Sequence, residues 1–410
     1  MWPDQCRPFP TIEFRRVFRH IRRPVSANDQ MVTAYTDGSV TLRTNRRISG
    51  YHEAADMSGM QGVKRGDFVV HGLDILRGSI GVSDSDGAMS SVCVVCEPVG
   101  EVEVRYFAWQ MRAQAASGLP RALARGVREG GADFRRWDTL AELPLLCPPL
   151  STQRAIADFL DGETARIDAL IEMKKRLIAL VNDRIDAMIR EHVLGDGSSI
   201  RPPWALAMGD DRKLTRMGSV LRLRRERNNP VRVTQILSLT AARGVIPYEE
   251  KGDIGNKASE DISRYSIVRH GDLVLNSMNV IIGSVGLSKY EGALSPVYYV
   301  LTPVDETKVD RRFLAYHFKI REFQRQLIRL GYGILDHRLR IPWISLKSQE
   351  LALPPLAEQI RVADSLDELS RSHRELTDRL EREIALLHER RHALIAAAVT
   401  GEMEVLAVAP

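Results

Sequence analysis

The 410-residue chain has only four cysteines, no low-complexity segment and no run approaching 18 uncharged apolar residues. The last absence argues against a membrane-spanning helix, which needs about 20 predominantly apolar residues. Met1–Pro10 also lacks the apolar core of a secretion signal, so a cytoplasmic protein is expected. The cysteines are Cys6, Cys93, Cys96 and Cys147. Cys93 and Cys96 fall in Ser90–Cys96, which reads as a strand, where residues three apart point to opposite faces. No second Cys/His pair stands at zinc-ligand spacing, so buried, reduced thiols are expected and no metal.

Catalytic signatures are missing as well. There is no phosphate loop, no Gly-x-Ser-x-Gly elbow and no His-Glu-x-x-His helix. An adenine methyltransferase needs an Asn/Asp-Pro-Pro-Tyr/Phe loop, and Cys147-Pro148-Pro149-Leu150 and Leu353-Pro354-Pro355-Leu356 cannot serve as one. Glu249-Glu250-Lys251 has half the residues of a metal-dependent nuclease core and reads as a solvated turn. The ten histidines are scattered; His373, His388 and His392 read as surface or seam residues of a helix. No catalytic residue and no cofactor is assigned to the chain.

What the chain has is a long repeat. Pro148-Pro149-Leu150-x-x-Gln153 recurs 206 residues later as Pro354-Pro355-Leu356-x-x-Gln359, and the 48-residue windows that follow agree at 18 positions. Each window opens on Pro-Pro, which cannot sit inside a helix, and closes on a glycine, Gly195 or Gly401. Between them apolar residues recur every three or four positions: Leu160, Ile167, Leu170, Ile171, Leu177, Ile178, Val181, Ile185 and Met188 in the first, Leu366 to Ile395 in the second. Two helices of roughly 65–70 Å are predicted. No single core is that long, so they are expected to pair as an antiparallel coiled coil.

The repeat extends beyond the helices. Val63–Val69 matches Val268–Val274, Gly78-Ser79-Ile80-Gly81 matches Gly283-Ser284-Val285-Gly286, and Gly87–Ser90 matches Gly292–Ser295, all at an offset of 205. Trp137 and Trp343 match at 206. The glycines lie between strands and read as turn or bulge positions. The expected architecture is α+β: two similar mixed α/β domains and two long helices, a tandem duplication with pseudo-two-fold symmetry. Its segments are 1–147, 148–199 (with the Gly/Ser/Pro-rich linker from Gly195), 200–353 and 354–410.

Charge separates the segments. Residues 201–350 carry 25 Lys/Arg against 16 Asp/Glu, while 351–410 carries seven against eleven. Basic domains on acidic helices point to a polyanion partner for the domains and another task for the helices. Phosphate-binding candidates are Arg43, Arg46 and Arg47 in the first domain and Arg222, Arg224, Arg225 and Arg227 in the second, with Arg338 and Arg340 beside them. A solvated charged face is the competing reading. The loop that differs most between otherwise matching flanks is His71–Arg77 against Asn276–Ile282, which makes His71, Arg77, Asn276 and Asn279 candidates for reading bases, unless the divergence is neutral. On the helices, polar residues recur at Gln153/Gln359, Asp158/Asp364, Asp161/Asp367, Arg176/Arg382 and Arg184/Arg390. Docking of one partner protein twice would explain them, as would ion pairs within the coiled coil. Capping would explain the glutamines.

The run Pro148–Asp161 with Thr164–Ile171 resembles the central conserved region of the specificity subunit of type I restriction–modification systems. Leu353–Gln359 and Ala397–Gly401 are similar to that family's distal conserved region, and Val274–Ser288 resembles its target-recognition domains. The resemblance implies a non-catalytic subunit that reads a bipartite double-stranded DNA target with two target-recognition domains. It further implies that two copies of an adenine methyltransferase subunit dock on the helices, and that a restriction–translocase subunit completes the complex. S-adenosylmethionine, magnesium and ATP would belong to those partners. An adaptor that binds only proteins, and an autonomous nuclease or methyltransferase, are the alternatives.

Overall fold

The computed structural model describes residues 9–26, 28–46, 59–118, 127–128, 131–132, 134–195, 212–240, 243–252, 257–278, 281, 283–331 and 340–405. The chain divides into two compact units, Met1–Lys174 with Glu381–Pro410, and Lys175–Leu380. Each holds one domain and a stretch of both long helices.

The first unit contains β1 (Thr11–Glu13), β2 (Phe18–His20), β3 (Val32–Ala34), β4 (Val40–Leu42), β5 (Met60–Val63), β6 (Phe68–His71), β7 (Ile80–Val82), β8 (Gly87–Ser90), β9 (Cys93–Pro98), β10 (Val127–Arg128), β11 (Gly131–Ala132) and β12 (Pro144–Leu146). Its longer helices include α1 (Val104–Ser117) and the first part of α2 (Leu150–Leu194). The second unit repeats the series as β13 (Lys213–Arg216), β14 (Leu221–Leu223), β15 (Leu237–Thr240), β16 (Gly244–Pro247), β17 (Ser266–Val268), β18 (Leu273–Asn276), β19 (Val285–Leu287), β20 (Gly292–Leu294), β21 (Tyr298–Pro303) and β22 (Glu350–Leu353). α3 (Arg311–His317) and α4 (Arg321–Ile328) precede β22, and α5 (Leu356–Thr400) ends the fold. Sheet orders coincide. An antiparallel β2-β9-β6-β7 sheet answers to β14-β21-β18-β19, and the β1–β12, β3–β4 and β5–β8 pairs to β13–β22, β15–β16 and β17–β20.

The repeated glycines have two physical roles. Gly78 and Gly283 adopt left-handed backbone, φ 86° and 75°, which a side chain would oppose. Gly81 and Gly87 are instead sites of close approach: a Cβ there would lie 1.9 Å from the Gly38 carbonyl oxygen and 2.3 Å from that of Gln30. The hairpins can therefore hydrogen-bond directly to the neighbouring strands, through Ala88 N to Gln30 O (2.9 Å) and Ala293 N to Gln235 O (2.8 Å).

Each domain core is continuous with the helices it rests on. In the first unit Phe14, Phe18, Phe68, Tyr106 and Phe107 pack with Ile156, Ala157 and Leu160 of α2 and with Ile395, Ala398 and Val399 of α5. In the second, Phe313, Phe318 and Phe323 pack with Ile189, Val193, Val362 and Leu366. Cys93 and Cys96 fall in different apolar clusters, as strand parity requires. Among the described residues no helix is long and apolar enough to cross a membrane.

The helices run antiparallel. In the first unit Lys174 Nζ meets Glu383 at 2.5 Å and Arg391 Nε meets Asp168 at 3.0 Å. In the second, His373 Nε2 meets Asn182 Oδ1 at 2.9 Å. The seam differs from the sequence-based stripe. Leu170 and Leu177 are 44% and 42% exposed, whereas Thr164 and Lys174 turn inward at the heptad positions beside Ile167 and Ile171. Polar residues at seam positions sacrifice burial and fix register.

Every domain is fastened to its helix by the same joint. Gln153, 3% exposed, accepts the Glu103 N–H (3.0 Å) and donates to Pro148 O (2.8 Å). Gln359, 1% exposed, accepts the Asp310 N–H (3.0 Å) and donates to Pro354 O and Lys308 O (2.9 and 3.1 Å). Removing either amide leaves buried backbone groups unpaired, at about 1–3 kcal/mol each. Gln359→Ala should cost the second unit about 2–4 kcal/mol in urea unfolding, with Gln153→Ala close behind in the first; a loss below about 0.5 kcal/mol would show the joint to be dispensable.

His317 is fully buried, and its Nε2 accepts the Ala352 N–H at 3.0 Å. Burial lowers its pKa from 6.5 to about 3. A folded-state value below the unfolded one means that the unfolded chain takes up the proton first. This contribution to stability is complete above about 6.5 and is lost as pH falls towards 3. Replacing His317 with Gln should flatten the fall in unfolding free energy across that window; an unchanged pH profile would exclude His317 as its source.

Candidate nucleic-acid interface

The basic residues of the second domain are not equivalent in their surroundings. Arg224 Nη2 donates to Asp272 Oδ1 at 2.8 Å, and that carboxylate is almost wholly buried. Asp272 Oδ2 also accepts the Arg269 N–H at 2.8 Å. Arg224 is therefore the nearer of two arginines that neutralise a buried charge, Arg311 Nη1 standing 3.9 Å from the same oxygen, and removing it would leave the aspartate undercompensated. Arg222 and Arg227 are exposed, the first loosely set against Thr302 Oγ1 (3.4 Å), the second donating to Arg264 O (3.0 Å) and Ser266 Oγ (3.2 Å). Arg225 and Arg340 are exposed.

In the first domain Arg43 is half-buried and its N–H donates to Met31 O at 2.8 Å. Arg46 pairs with Asp37 and lies 4.7 Å over the Tyr35 ring. Burial raises the Asp37 pKa, but hydrogen bonds from Arg46 and from the Ser39 N–H and hydroxyl outweigh it and hold the carboxyl below its usual range. Arg47, Asn279 and Arg338 lie outside the described residues.

The loops expected to read bases are largely tied to their own domains. His71 Nδ1 accepts the Asp74 N–H at 3.1 Å, and Ile75 is fully buried. Gly72 bonds Val92 O and Phe134 N on either side. Asn276 is buried, with Oδ1 accepting the Met278 N–H at 3.0 Å, and the Ser277 hydroxyl donates to Val297 O at 2.6 Å. His71 and Asn276 thus shape their loops, whereas Arg77 is turned to solvent, 3.8 Å from Asp74.

The recurring helix aspartates also find partners inside the chain. Arg105 donates to Asp158 Oδ1 (2.8 Å), Asp161 Oδ2 (2.7 Å) and Glu103 (2.9 Å), and the Trp109 indole donates to Asp161 Oδ1 (2.8 Å). In the second unit Arg312 serves Asp364 (2.6 Å), Asp367 (3.1 Å) and Asp310 (2.8 Å), and the Tyr316 hydroxyl donates to Asp367 (2.8 Å). Glu103 first, then Asp158 and Asp161, hold the Arg105 guanidinium above its usual pKa; Asp310 leads the same effect at Arg312. The recurrence of these four aspartates is accounted for by domain–helix ion pairs, a third explanation beside partner docking and pairs within the coiled coil. Arg184 and Arg390 are exposed. Sequence comparison missed Arg105 and Arg312 because they match only at an offset of 207; Trp109 and Tyr316 at the same offset were the available signal.

A polar cleft of about 350 Å³ opens in the first unit between the β3–β4 turn, α1 and the long helices. Arg112 lies in it, 3.7 Å over the Trp109 ring, with Nη1 donating to Asp37 O at 2.7 Å. Burial, then the neighbouring Arg391, lowers its pKa to about 10. Among the described residues no three His, Cys, Asp or Glu side chains gather to hold a metal. This chemistry is that of latching and charge display.

Residues 232–386 match the family model of the type I restriction modification DNA specificity domain. A curated relative, a putative type I restriction enzyme specificity subunit, S.HindORF215P of Haemophilus influenzae, is 24% identical over 255 residues, 59% of this chain and 59% of the relative. A structure described as the basis of complex assembly and conformational transition of the type I R-M system has a TM-score of 0.70 at 15% identity, covering 98% of this chain and 100% of its own. The HsdS subunit of Thermoanaerobacter tengcongensis has a TM-score of 0.52 at 17% identity, covering 98% and 99%. The structural likenesses support the fold along nearly the whole chain, and the sequence matches, over residues 232–386 and over 59% of the chain, are to type I restriction–modification specificity proteins.

Proposed function

We propose that this chain is the sequence-specific DNA-recognition subunit of a type I restriction–modification complex, active in the cytoplasm and without catalysis of its own. Each domain, 1–147 and 200–353, reads one half of a bipartite duplex target. The helical segments, 148–199 and 354–410, carry two copies of an adenine methyltransferase subunit. A restriction–translocase subunit joins them, and S-adenosylmethionine, magnesium and ATP belong to those partners. The observation that carries the reading is the duplication itself: one domain–helix unit occurs twice, with the same sheet order and the same joint. The excess of basic residues in the second domain, beside an acidic C-terminal helix segment, supports a polyanion as what that domain meets.

Within this reading the first-domain candidates for DNA contact are Arg46 and Arg77, and in the second Arg222, Arg225, Arg227 and Arg340. Arg184 and Arg390, exposed and 206 residues apart in the repeat, are the partner-facing candidates. Phosphate contacts would position the chain and base-edge contacts would give it sequence.

Co-expression with its methyltransferase subunit, followed by mapping of modified adenines, should reveal one split motif. Exchanging residues 213–353 for those of a relative should alter one half of that motif and leave the other half unchanged. Modification without sequence preference, or a change in both halves, would refute two independent readers on one scaffold.

A further inference from the structure

We infer that Arg22 and Arg225 are equivalent, sequence-independent phosphate contacts, one in each domain. The inference rests on the DNA-recognition reading and adds the contact that both halves share. It comes from aligning the domains by strand pairing instead of by sequence. Phe18 faces Pro98 across the β2–β9 pair, and Leu221 faces Pro303 across β14–β21. The last ladder bonds are Ile21 N to Val95 O (3.0 Å) and Arg224 N to Val300 O (2.8 Å). Pro98 and Pro303 are 205 residues apart, whereas Phe18 and Leu221 are 203 apart, so comparison at 205 misses the next residue in each edge strand, Arg22 and Arg225.

These two differ from the other arginines of the two domains. At the equivalent pair Arg19 and Arg222, the first pairs with Glu97 and the second leans on Thr302. Arg105 and Arg312 are held by carboxylates at the domain–helix joint. Arg23 and Arg224 each serve a buried aspartate, Asp67 or Asp272. Arg22 and Arg225 are exposed, and neither has an ion pair or hydrogen bond to a described residue. Their surroundings are basic: Phe18–Arg23 holds three arginines and no carboxylate, and Leu221–Arg227 holds four arginines and one glutamate. The neighbouring His20 has its pKa lowered by burial and then by the positive charge of Arg22.

A charge on an edge strand often serves to deter strand addition. Here the backbone beside each arginine is already engaged, Arg23 O accepting from Gly62 N (2.9 Å) and Glu226 O from Ile267 N (3.1 Å), so strand addition is blocked there without a charge. A phosphodiester is the ligand that suits an exposed guanidinium, unpaired among the described residues and repeated in two readers of different sequences. It is present at every step of a duplex and carries no base information.

The test is fluorescence anisotropy of the full chain with a mixed-sequence duplex, titrated from 50 to 200 mM NaCl. Loss of one phosphate contact should lower the slope of log K against log salt by about 0.9, which is about eightfold in affinity near 0.1 M. Arg22→Gln and Arg225→Gln should each show this loss, and the double variant about sixtyfold. Arg154→Gln, on the exposed face of α2, should match the unaltered chain. Melting temperatures of the two single variants should stay within about 2 °C of the unaltered chain, whereas Arg224→Gln should melt lower because Asp272 keeps only the more distant Arg311, at 3.9 Å. A normal slope in either single variant, with salt-dependent binding intact in the unaltered chain, overturns the inference and leaves the recognition reading standing. Absence of duplex binding by the unaltered chain overturns both.

Discussion

The constraint on which the structure depends is the fastening of a globular domain to the flank of a long helix. A helix offers a domain only a narrow face, and apolar contact alone tolerates rolling and sliding. The joint removes that freedom with directional chemistry. A buried glutamine amide uses its oxygen and its NH₂ group on backbone at the start of the next domain helix or just before it, and on the proline that opens its own. One turn further, two aspartates three residues apart face the domain and share a single arginine. Three apart on a helix is one face. The pair sets the angle as well as the position, and the indole or phenol bonded to the inner aspartate completes the fixing.

Duplication lets one half be read against the other. Asp67 and Asp272 hold the same turn, through the Lys64 and Arg269 N–H groups, yet they are neutralised by arginines at non-equivalent positions, Arg23 and Arg224. By strand pairing, Arg224 stands where the first domain has Ile21, two residues before Arg23 and on the same face of the strand. Either position can reach the carboxylate, so the need is kept while the residue that meets it moves. The glycines behave differently. Gly87 and Gly292 leave no room for a side chain beside the Gln30 and Gln235 carbonyls, and no neighbour can supply the missing space.

Much of this was legible in the sequence because periodicity and repeats are properties of the chain alone. Both helices, their Pro-Pro openings, their glycine endings and the Gly-Asp strands could be placed. The inward face of the helices was harder. Leucine identity alone selects Leu170 and Leu177, but the seam follows the heptad through Thr164, whose hydroxyl bonds the Leu160 carbonyl of its own helix, and Lys174, whose partner Glu383 only the fold supplies. The candidate interface was least legible. Arg224 and Arg225 are adjacent and identical in type, yet one is bound to a buried carboxylate and the other faces solvent. Strand parity separates them, and one sequence gives no strand boundary to that accuracy. The joint arginines escaped because loop lengths shift the repeat between 203 and 207, so no single offset aligns every functional pair.

The joint also divides its chemistry across a module boundary. Guanidinium and aromatic ring come from the domain; amide and carboxylates come from the helix. A recombination crossover at either Pro-Pro step would keep each half of that lock intact, so an incoming domain that carries the arginine and ring would find the complementary half on an old scaffold. Heredity could then exchange whole domains in single events, while the helices, having nothing to relearn, stay as they were.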